Sequence, residues 1–503
     1  MPQKNNSTFL LILIFIFLCL LINIITIKNG HNWGGDFAQY IIHAKNLVEG
    51  NSYQAGIMLD LPLLYPPGYP LIIALIIKYF GTSFFILKFL NVIFWSGFVY
   101  FSYRLASGLL GKELGILLAL FLAVSSDFFT FKQNVLSDVP FSFFCVLSVF
   151  MYDKTCPKSQ LRVNKKIAYL FLTIFCMIFA MLTRSGGLTL FIAGIFHSFF
   201  IRKDIKQGLI FCVAFALTYL LQIALIGNNP GYFNQIIEGP LEYFNLALRN
   251  ISLPLRSLLW FFTPGITNYS MIIFFVLNNV MLYTAGFIYL AMLYFFIRRV
   301  IRKEVSFLES FSFFYLLMLL AWSGFPAEPR AFARYIYPLV PIIFVVLCKS
   351  AEYMTSVFKK NKEVSGLSRG LTVFLIILLV FINIYNIVLA FDFNDDVLFV
   401  RENQEMFRWV EGNVKDDQPY MTWRPAPVAL MSGKAGVAPW STHKDPLSGM
   451  FRKIGQYKVG HLIASKETDK FLIDICERKS NFADLEWENS AFKIYKIRKA
   501  FNE

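Results

Sequence analysis

Long apolar runs separated by short polar loops dominate the chain. Several of these runs approach or exceed the roughly 20 residues that a helix needs to cross a bilayer. Eleven runs fall at about 9–27, 84–106, 113–131, 138–152, 167–183, 187–201, 208–226, 271–297, 306–325, 336–357 and 370–391. The pattern predicts a polytopic α-helical membrane protein with about 11 transmembrane helices.

Lysine and arginine are concentrated in alternate loops, which predicts an orientation because basic loops remain in the cytoplasm. Eleven spans place every basic loop on that side. The first run follows a single Lys4 and lacks a small-residue cleavage site, so we expect a retained signal anchor with a cytoplasmic N-terminus. The basic residues are Arg104 and Lys112; Lys154, Lys158, Arg162, Lys165 and Lys166; Arg202, Lys203 and Lys206; Arg298, Arg299, Arg302 and Lys303; and Lys359, Lys360, Lys362 and Arg369. We therefore expect a multi-pass protein of the inner (cytoplasmic) membrane with its C-terminus outside.

The first extracytoplasmic loop carries the most structure outside the spans. Near-helical spacing predicts a helix over 37–48, and the run 69–80 is too short to span, so it predicts a helix lying in the interface. Segment 227–270 has the prolines and aromatic residues of an interfacial or re-entrant loop.

Composition changes abruptly after Phe391, from apolar to charged and mixed. We predict a transmembrane domain over 1–391 and a small soluble extracytoplasmic α/β domain over 392–503. Its predicted elements are helices at 405–414 and 469–477 and strands at 420–423, 461–465 and 492–497.

Composition narrows the function classes. The chain is 56% hydrophobic and 16% charged, with a net charge of +15. Its basic residues lie in short loops rather than on one soluble face, and this distribution argues against nucleic-acid binding. The seven cysteines lack the spacing of a disulfide framework or a zinc site. The sequence contains no nucleotide-binding motif, which excludes transport driven by a nucleotide-hydrolysing domain of this chain.

Asp36 follows the first span by about nine residues and is preceded by two glycines. A carboxylate at the membrane surface can act as a general base on an incoming hydroxyl or amine. Aspartate is also a good N-cap for the predicted helix 37–48. The sequence leaves both interpretations open, and they are compatible.

Asp138 stands at the outer mouth of the span 138–152, two residues before Pro140. An ionisable residue at a span boundary is a functional candidate. An aspartate at a helix start also interacts well with the helix dipole. Function and helix capping are both open.

Three arginines, Arg184, Arg330 and Arg334, fall on the predicted outer side, against the positive-inside trend. Guanidinium groups suit phosphate binding, whereas arginines near span ends also snorkel to the interface. Three of them on the same face as two acids favour a phosphate-bearing substrate. His43, two helical turns after Asp36, is a weak candidate metal ligand, so a divalent metal is possible but not required.

These motifs together resemble the GT-C membrane glycosyltransferases, in the branch of the dolichyl-phosphate-mannose protein mannosyltransferases and the lipid A aminoarabinose transferases. The resemblance covers about residues 10–350. It rests on Gly35-Asp36-Phe37 with Tyr40, Ala44, Leu47 and Gly50; Tyr65-Pro66-Pro67-Gly68-Tyr69-Pro70-Leu71; Leu136-Ser137-Asp138-Val139-Pro140-Phe141; Leu182-Thr183-Arg184; and Arg334-Tyr335 with Pro338 and Pro341.

The resemblance implies an inverting sugar transfer from a polyprenyl-phosphate donor on the extracytoplasmic face, without a nucleotide sugar. Asp36 would be the general base, and Arg334 and Arg184 would hold the donor phosphate. Asp138 would position a substrate. Tyr65, Tyr335 and Arg330 complete the predicted substrate-binding set.

The chain departs from the family at two positions. Phe37 replaces the acid that follows the first-loop aspartate in protein mannosyltransferases, and Leu64-Tyr65 replaces the Glu-Lys of aminoarabinose transferases. Both departures put in question a metal at this site and the substrates of either named transferase. We expect a glycosyltransferase whose acceptor is a lipid, a cell-envelope glycan or a protein. The alternatives are a glycan polymerase or ligase and a lipid-linked sugar transporter or flippase.

Overall fold

The structure is a computed structural model of the whole chain. It describes residues 6–53, 59, 65–155, 162–226, 253, 293–294, 296–321, 332–345, 348, 380–388, 397–439, 446–478 and 482–498. Most of the predicted re-entrant segment 227–270, most of the predicted span 271–297 and Arg330 lie outside these residues.

Helices make up the first part of the described chain. They are α1 (Asn6–Ile25), α2 (Gly35–Glu49), α3 (Gly68–Phe80), α4 (Phe84–Leu110), α5 (Lys112–Ala123), α6 (Ser126–Phe131), α7 (Asp138–Lys154), α8 (Val163–Thr183), α9 (Leu188–Phe196), α10 (Ile205–Ile226) and α11 (Phe307–Ala321). A 3-10 turn, Ser185–Gly187, precedes α9, and a π-helical turn, His197–Arg202, follows it.

Five stretches of the described chain are long and apolar enough to cross a membrane. They are Phe84–Leu110, Lys112–Phe131, Val163–Thr183, Ser185–Arg202 and Ile205–Ile226. Each coincides with a run that the hydropathy pattern predicts as a span, which confirms the membrane-protein fold class; the total of 11 stays a prediction.

The helices of the bundle pack closely along their apolar faces. Helix α4 packs against α5 and α7, and α7 packs against α8. Gly97 permits the contact between α4 and α7, because a Cβ there would lie 2.5 Å from the ring of Phe143. Buried aromatic and aliphatic side chains of these helices form one continuous core.

The C-terminal segment forms a five-stranded sheet of β1 (Tyr420–Met421), β2 (Gly436–Val437), β3 (His461–Ser465), β4 (Ala483–Glu488) and β5 (Phe492–Ile497). The order of the strands is β2-β1-β3-β5-β4. Strands β1, β2 and β3 are parallel, and β5 runs antiparallel to β3 and β4. The helices of this segment are α12 (Arg401–Asn413), α13 (Pro425–Ser432), α14 (Pro446–Tyr457) and α15 (Lys470–Arg478).

The five elements predicted in this segment are confirmed within a few residues, and β3 and β5 match at both ends. Helices α13 and α14 and strands β2 and β4 were missed. Strand β2 has only two residues, and α13 begins Pro-Ala-Pro, so neither carries a periodicity of its own.

The C-terminal sheet segment and the segment between α1 and α4 share a hydrophobic core. Helix α13 packs directly on α2, and Phe37 and Ile41 of α2 belong to the same buried cluster as Phe407 and Val410 of α12. Backbone hydrogen bonds also join the two parts, from Leu398 N–H to His31 O at 3.1 Å and from Leu59 N–H to Gly436 O at 3.2 Å. Folding of the C-terminal sheet therefore supports the helix that carries Asp36.

Candidate active site

Asp36 lies in the first turn of α2, and its side chain is 36% exposed. The N-cap residue is Gly34, and no side chain caps this helix, so the alternative interpretation of Asp36 as an N-cap is wrong. The two carboxylate oxygens instead contact side chains far away in the sequence, one from Tyr65 and one from Arg334.

A polar network fixes the chain just before Asp36. Asn32 donates to Asn134 at 2.8 Å and accepts from the N–H of Gly34 at 2.9 Å. The fully buried Lys88 of α4 donates from Nζ to the carbonyls of Lys28 (2.8 Å) and Gly30. These contacts set the position from which α2 begins.

Tyr65 brings the double-proline motif to Asp36. Its hydroxyl donates to Asp36 Oδ1 at 2.8 Å, and its ring packs on Tyr40 with 4.7 Å between centroids. Three residues later, Gly68 touches the end of α8, since a Cβ there would lie 2.6 Å from the carbonyl carbon of Leu182. Because Gly68 has no side chain, the double-proline motif can lie close to the backbone that leads into Arg184.

Arg334 lies on the other side of Asp36. One guanidinium nitrogen is 3.3 Å from Asp36 Oδ2, and another donates to the hydroxyl of Tyr335 at 3.2 Å. Its Nε is buried and has no partner among the described residues. The hydroxyl of Tyr315 donates to the carbonyl of Tyr335 at 2.8 Å and holds this turn.

Asp138 and Arg184 form the second ion pair of this site. Asp138 is the first residue of α7, where the helix dipole favours a carboxylate, and its side chain is only 2% exposed. Arg184 follows the last residue of α8 and lies over the ring of Tyr335, 4.5 Å from its centroid. The guanidinium is therefore held inside the protein by Asp138, which does not fit the alternative of an arginine snorkelling to the interface.

Tyr335 joins the two arginines. Arg334 lies 5.1 Å from the ring centroid of Tyr335, and Arg184 lies 4.5 Å from it. The electron-rich ring attracts both guanidinium groups, and this attraction offsets part of the repulsion between them. Six of the predicted residues thus converge on one place: Asp36, Tyr65, Asp138, Arg184, Arg334 and Tyr335.

His43 does not join this group as a metal ligand. It is buried, its Nδ1–H donates to the carbonyl of Tyr53 at 2.7 Å, and its ring stacks on that of Tyr53. Burial lowers the pKa of His43 to about 4. In the described part of the chain, no three His, Cys, Asp or Glu side chains are grouped so that they could hold a metal ion.

Two residues of the site were missed by sequence analysis. Lys88 and Ser137 were not singled out, although Ser137 lies 2.8 Å from the Tyr40 hydroxyl. A lysine inside an apolar run is a signal that could have identified Lys88. Ser137 carries no such signal, because a serine before a helix is ordinary.

Comparison with known protein families finds a match over part of the chain. Residues 65–230 match the family model of the dolichyl-phosphate-mannose-protein mannosyltransferases. A search of curated protein sequences finds no match to the chain.

Two solved structures illustrate the similarity of the fold. ArnT from Cupriavidus metallidurans, bound to undecaprenyl phosphate, aligns over 99% of this chain and 100% of its own, with 9% identity and a TM-score of 0.56. The archaeal oligosaccharyltransferase AglB from Archaeoglobus fulgidus, in complex with an inhibitory peptide and a dolichol-phosphate, aligns over 90% of this chain and 69% of its own, with 11% identity and a TM-score of 0.51. The chain therefore has the GT-C fold of the membrane glycosyltransferases, as its motifs predict.

Proposed function

We propose that the chain transfers a sugar from a polyprenyl-phosphate donor to an acceptor at the outer face of the cytoplasmic membrane, with inversion. The observation that carries this proposal is the partly exposed Asp36 carboxylate beside the Arg334 guanidinium. A base and a phosphate-binding cation in contact are what a displacement at an anomeric carbon requires.

Asp36 is the general base in this mechanism. The acceptor hydroxyl or amine approaches the exposed side of the carboxylate and gives its proton to Asp36 as its heavy atom attacks the anomeric carbon. The new bond forms on the face opposite the carbon–oxygen bond that breaks, so a single displacement inverts the configuration. The electron pair of the broken bond stays on the phosphate oxygen, and polyprenyl phosphate leaves.

Arg334 and Arg184 stabilise that leaving phosphate. Both are charged and largely shielded from water, which strengthens their attraction for an anion. The matched proteins support this assignment, since ArnT is seen with undecaprenyl phosphate and AglB with a dolichol-phosphate.

Arg334 also links donor binding to the base. Its guanidinium contacts Asp36 Oδ2 at 3.3 Å, while its buried Nε has no partner among the described residues. A donor phosphate supplies a stronger partner for the guanidinium, and its arrival draws Arg334 away from the carboxylate. Oδ2 is then available to take the proton of the acceptor.

Asp138 and Tyr65 are positioning residues. The Asp138 carboxylate is too deeply buried to meet an acceptor, and its contact with Arg184 orients that guanidinium. Tyr65 holds Asp36 through Oδ1, so that only the second oxygen is free to react.

The wider assignments belong to the same proposal. The sugar is a hexose or a pentose, and the acceptor is a lipid, a cell-envelope glycan or a protein. The bundle over 1–391 carries the site with its N-terminus in the cytoplasm, and the domain over 392–503 lies outside, where it supports α2.

The test is transfer from a panel of synthetic polyprenyl-phosphate sugars by the purified protein, with lipid-linked oligosaccharides included. We expect wild type to release polyprenyl phosphate and Asp36→Asn to lose at least about 100-fold in kcat, in the range of general-base catalysis. Glu49→Gln, at the exposed far end of the same helix, is the matched control and keeps its activity.

Two outcomes would overturn the proposal. One is equal turnover by wild type and Asp36→Asn, and the other is no turnover of any donor. Elongation of a lipid-linked oligosaccharide in place of single transfer would assign the same residues to a polymerase or ligase.

A further inference from the structure

Two basic turns meet at the end of the bundle that the charge distribution assigns to the cytoplasm. The first, at Lys203, separates the candidate spans Ser185–Arg202 and Ile205–Ile226. The second contains Lys303 and precedes α11. His197 connects them, because its Nε2–H donates to the carbonyl of Val305 at 3.0 Å. Since candidate spans end at these turns, they lie where a bilayer surface would be.

Lys203 and Lys303 present adjacent positive charges at this point. Both have a left-handed backbone, with φ of 56° and 58°, which is uncommon for lysine. Both are exposed, and the positive charge of Lys203 lowers the pKa of Lys303 below its ordinary value. Proximity of like charges is unfavourable unless an anion lies between them.

Arg202 and Gln207 add donors directly beside these lysines. Arg202 donates to Gln207 Oε1 at 3.0 Å and to Thr155 Oγ1 at 3.3 Å, and it lies over the ring of Tyr152. Its second terminal nitrogen is buried without a partner in the described chain, and so is Nε2 of Gln207, whose residue is only 6% exposed. Buried donors without an acceptor are rare in native proteins.

The acid that follows Lys203 does not supply that acceptor. Asp204 lies in the same turn, but its carboxylate accepts from the backbone N–H of Gln207 at 3.0 Å and begins α10. The π-helical turn His197–Arg202 places Arg202 at this point, and such turns are frequent at functional sites.

We propose that Arg202, Lys203, Gln207 and Lys303 form a binding site for a phosphate group, supplied by the headgroup of an anionic phospholipid. A guanidinium, two ammonium groups and an amide N–H satisfy the oxygens of a phosphate together. Basic residues at membrane-proximal turns attract anionic headgroups. The site lies at the other end of the bundle from Asp36, so it holds a structural or regulatory lipid and not the donor.

The test is displacement of a fluorescent phosphatidylglycerol from the full-length protein in detergent by unlabelled phosphatidylglycerol, phosphatidylcholine or sodium phosphate. We expect phosphatidylglycerol to compete at least about tenfold better than phosphatidylcholine. The double variant Lys203→Asn/Lys303→Asn should bind at least about 30-fold more weakly, because two direct charged contacts to the phosphate are lost. Asparagine is chosen because it tolerates a left-handed backbone.

The matched control is Lys206→Asn/Arg302→Asn, which removes the same charge from the same two turns and should stay within about twofold of wild type. Gln207→Met tests the buried donor, with an expected loss of about fivefold in affinity for phosphatidylglycerol.

Displacement by millimolar sodium phosphate without a preference for phosphatidylglycerol would keep the phosphate site and assign it a soluble ligand. The proposal is overturned if neither probe competes, or if the control pair loses as much as the test pair. Sugar transfer has no part in this readout, so its outcome is independent of the proposed function.

Discussion

Replacing Lys88 by methionine tests whether the buried polar network around Lys88 positions the Asp36 carboxylate. Lys88 Nζ donates to the carbonyls of Lys28 and Gly30 and to Gln133 Oε1 at 3.4 Å, and the residue is fully buried. Methionine has a similar length but no donor. Lys88→Met therefore releases the turn that leads into α2 while leaving the packing volume nearly unchanged.

The magnitude follows from the groups left behind. The buried carbonyl of Gly30 and the partly buried carbonyl of Lys28 lose the Lys88 donor, at about 1–3 kcal/mol each. Removal of a buried ammonium, whose desolvation opposes folding, offsets part of this loss. We expect a net decrease of about 2 kcal/mol in the free energy of unfolding. A displacement of Asp36 by about 1 Å is enough to lower kcat by about 100-fold.

The assay compares kcat and KM for sugar transfer with denaturant unfolding in mixed micelles. We expect Lys88→Met to lower kcat by about 10- to 100-fold while KM changes by less than about threefold, because the phosphate-binding arginines are untouched. Lys78→Met, an exposed lysine on α3, is the control and behaves as wild type. A Lys88→Met protein with unchanged stability and a kcat within about twofold of wild type would refute the reasoning.

Three further predictions concern the supports of the site. Gly68→Ala should destabilise the fold by about 1–3 kcal/mol, because its Cβ would meet the Leu182 backbone at 2.6 Å; Gly412→Ala, with open space around it, should melt no earlier than wild type. Phe407→Ala, in the core shared by the C-terminal sheet and α2, should lower the free energy of unfolding by about 3–5 kcal/mol and should also reduce sugar transfer. Loss of stability with full activity in the folded fraction would contradict the support of α2 by this core. Because the pKa of His43 falls from 6.5 unfolded to about 4 folded, the unfolded chain binds more protons between these values, and the contribution of His43 to stability should decrease by about 1.6 kcal/mol from pH 6.5 to pH 5. His43→Gln should flatten that slope, and an unfolding profile with the same pH dependence as wild type would count against it.

Apolar periodicity predicted the described helices well because it acts locally. A run of apolar residues must be helical in a membrane whatever its neighbours are, so the spans at α4, α8 and α10 and the short helix α3 could be predicted from their own residues. Strands β3 and β5 were predictable for the same reason, since their alternation is visible within six residues. Strand β2 was not, because two residues carry no period.

The candidate residues of the site could be named from the sequence, but not their roles. Asp36 and Asp138 look alike in the sequence, as acids at the start of a helix beside the membrane. Only the structure separates them, with Asp36 partly exposed and Asp138 buried against Arg184. His43 looked like a partner for Asp36 by helical spacing, yet packing turned its ring onto Tyr53.

The sequence by itself determined the membrane-protein class, the positions of most described helices and the small set of polar residues from which a site could be built. These follow from the preferences of each segment for lipid or water. The tertiary structure alone decided that Asp36 meets Arg334, 298 positions further along the chain, and that the C-terminal sheet supports the helix carrying Asp36. The physical reason is that such pairings depend on how apolar helices rotate and pack against one another, and the apolar faces that determine this packing are nearly interchangeable in sequence.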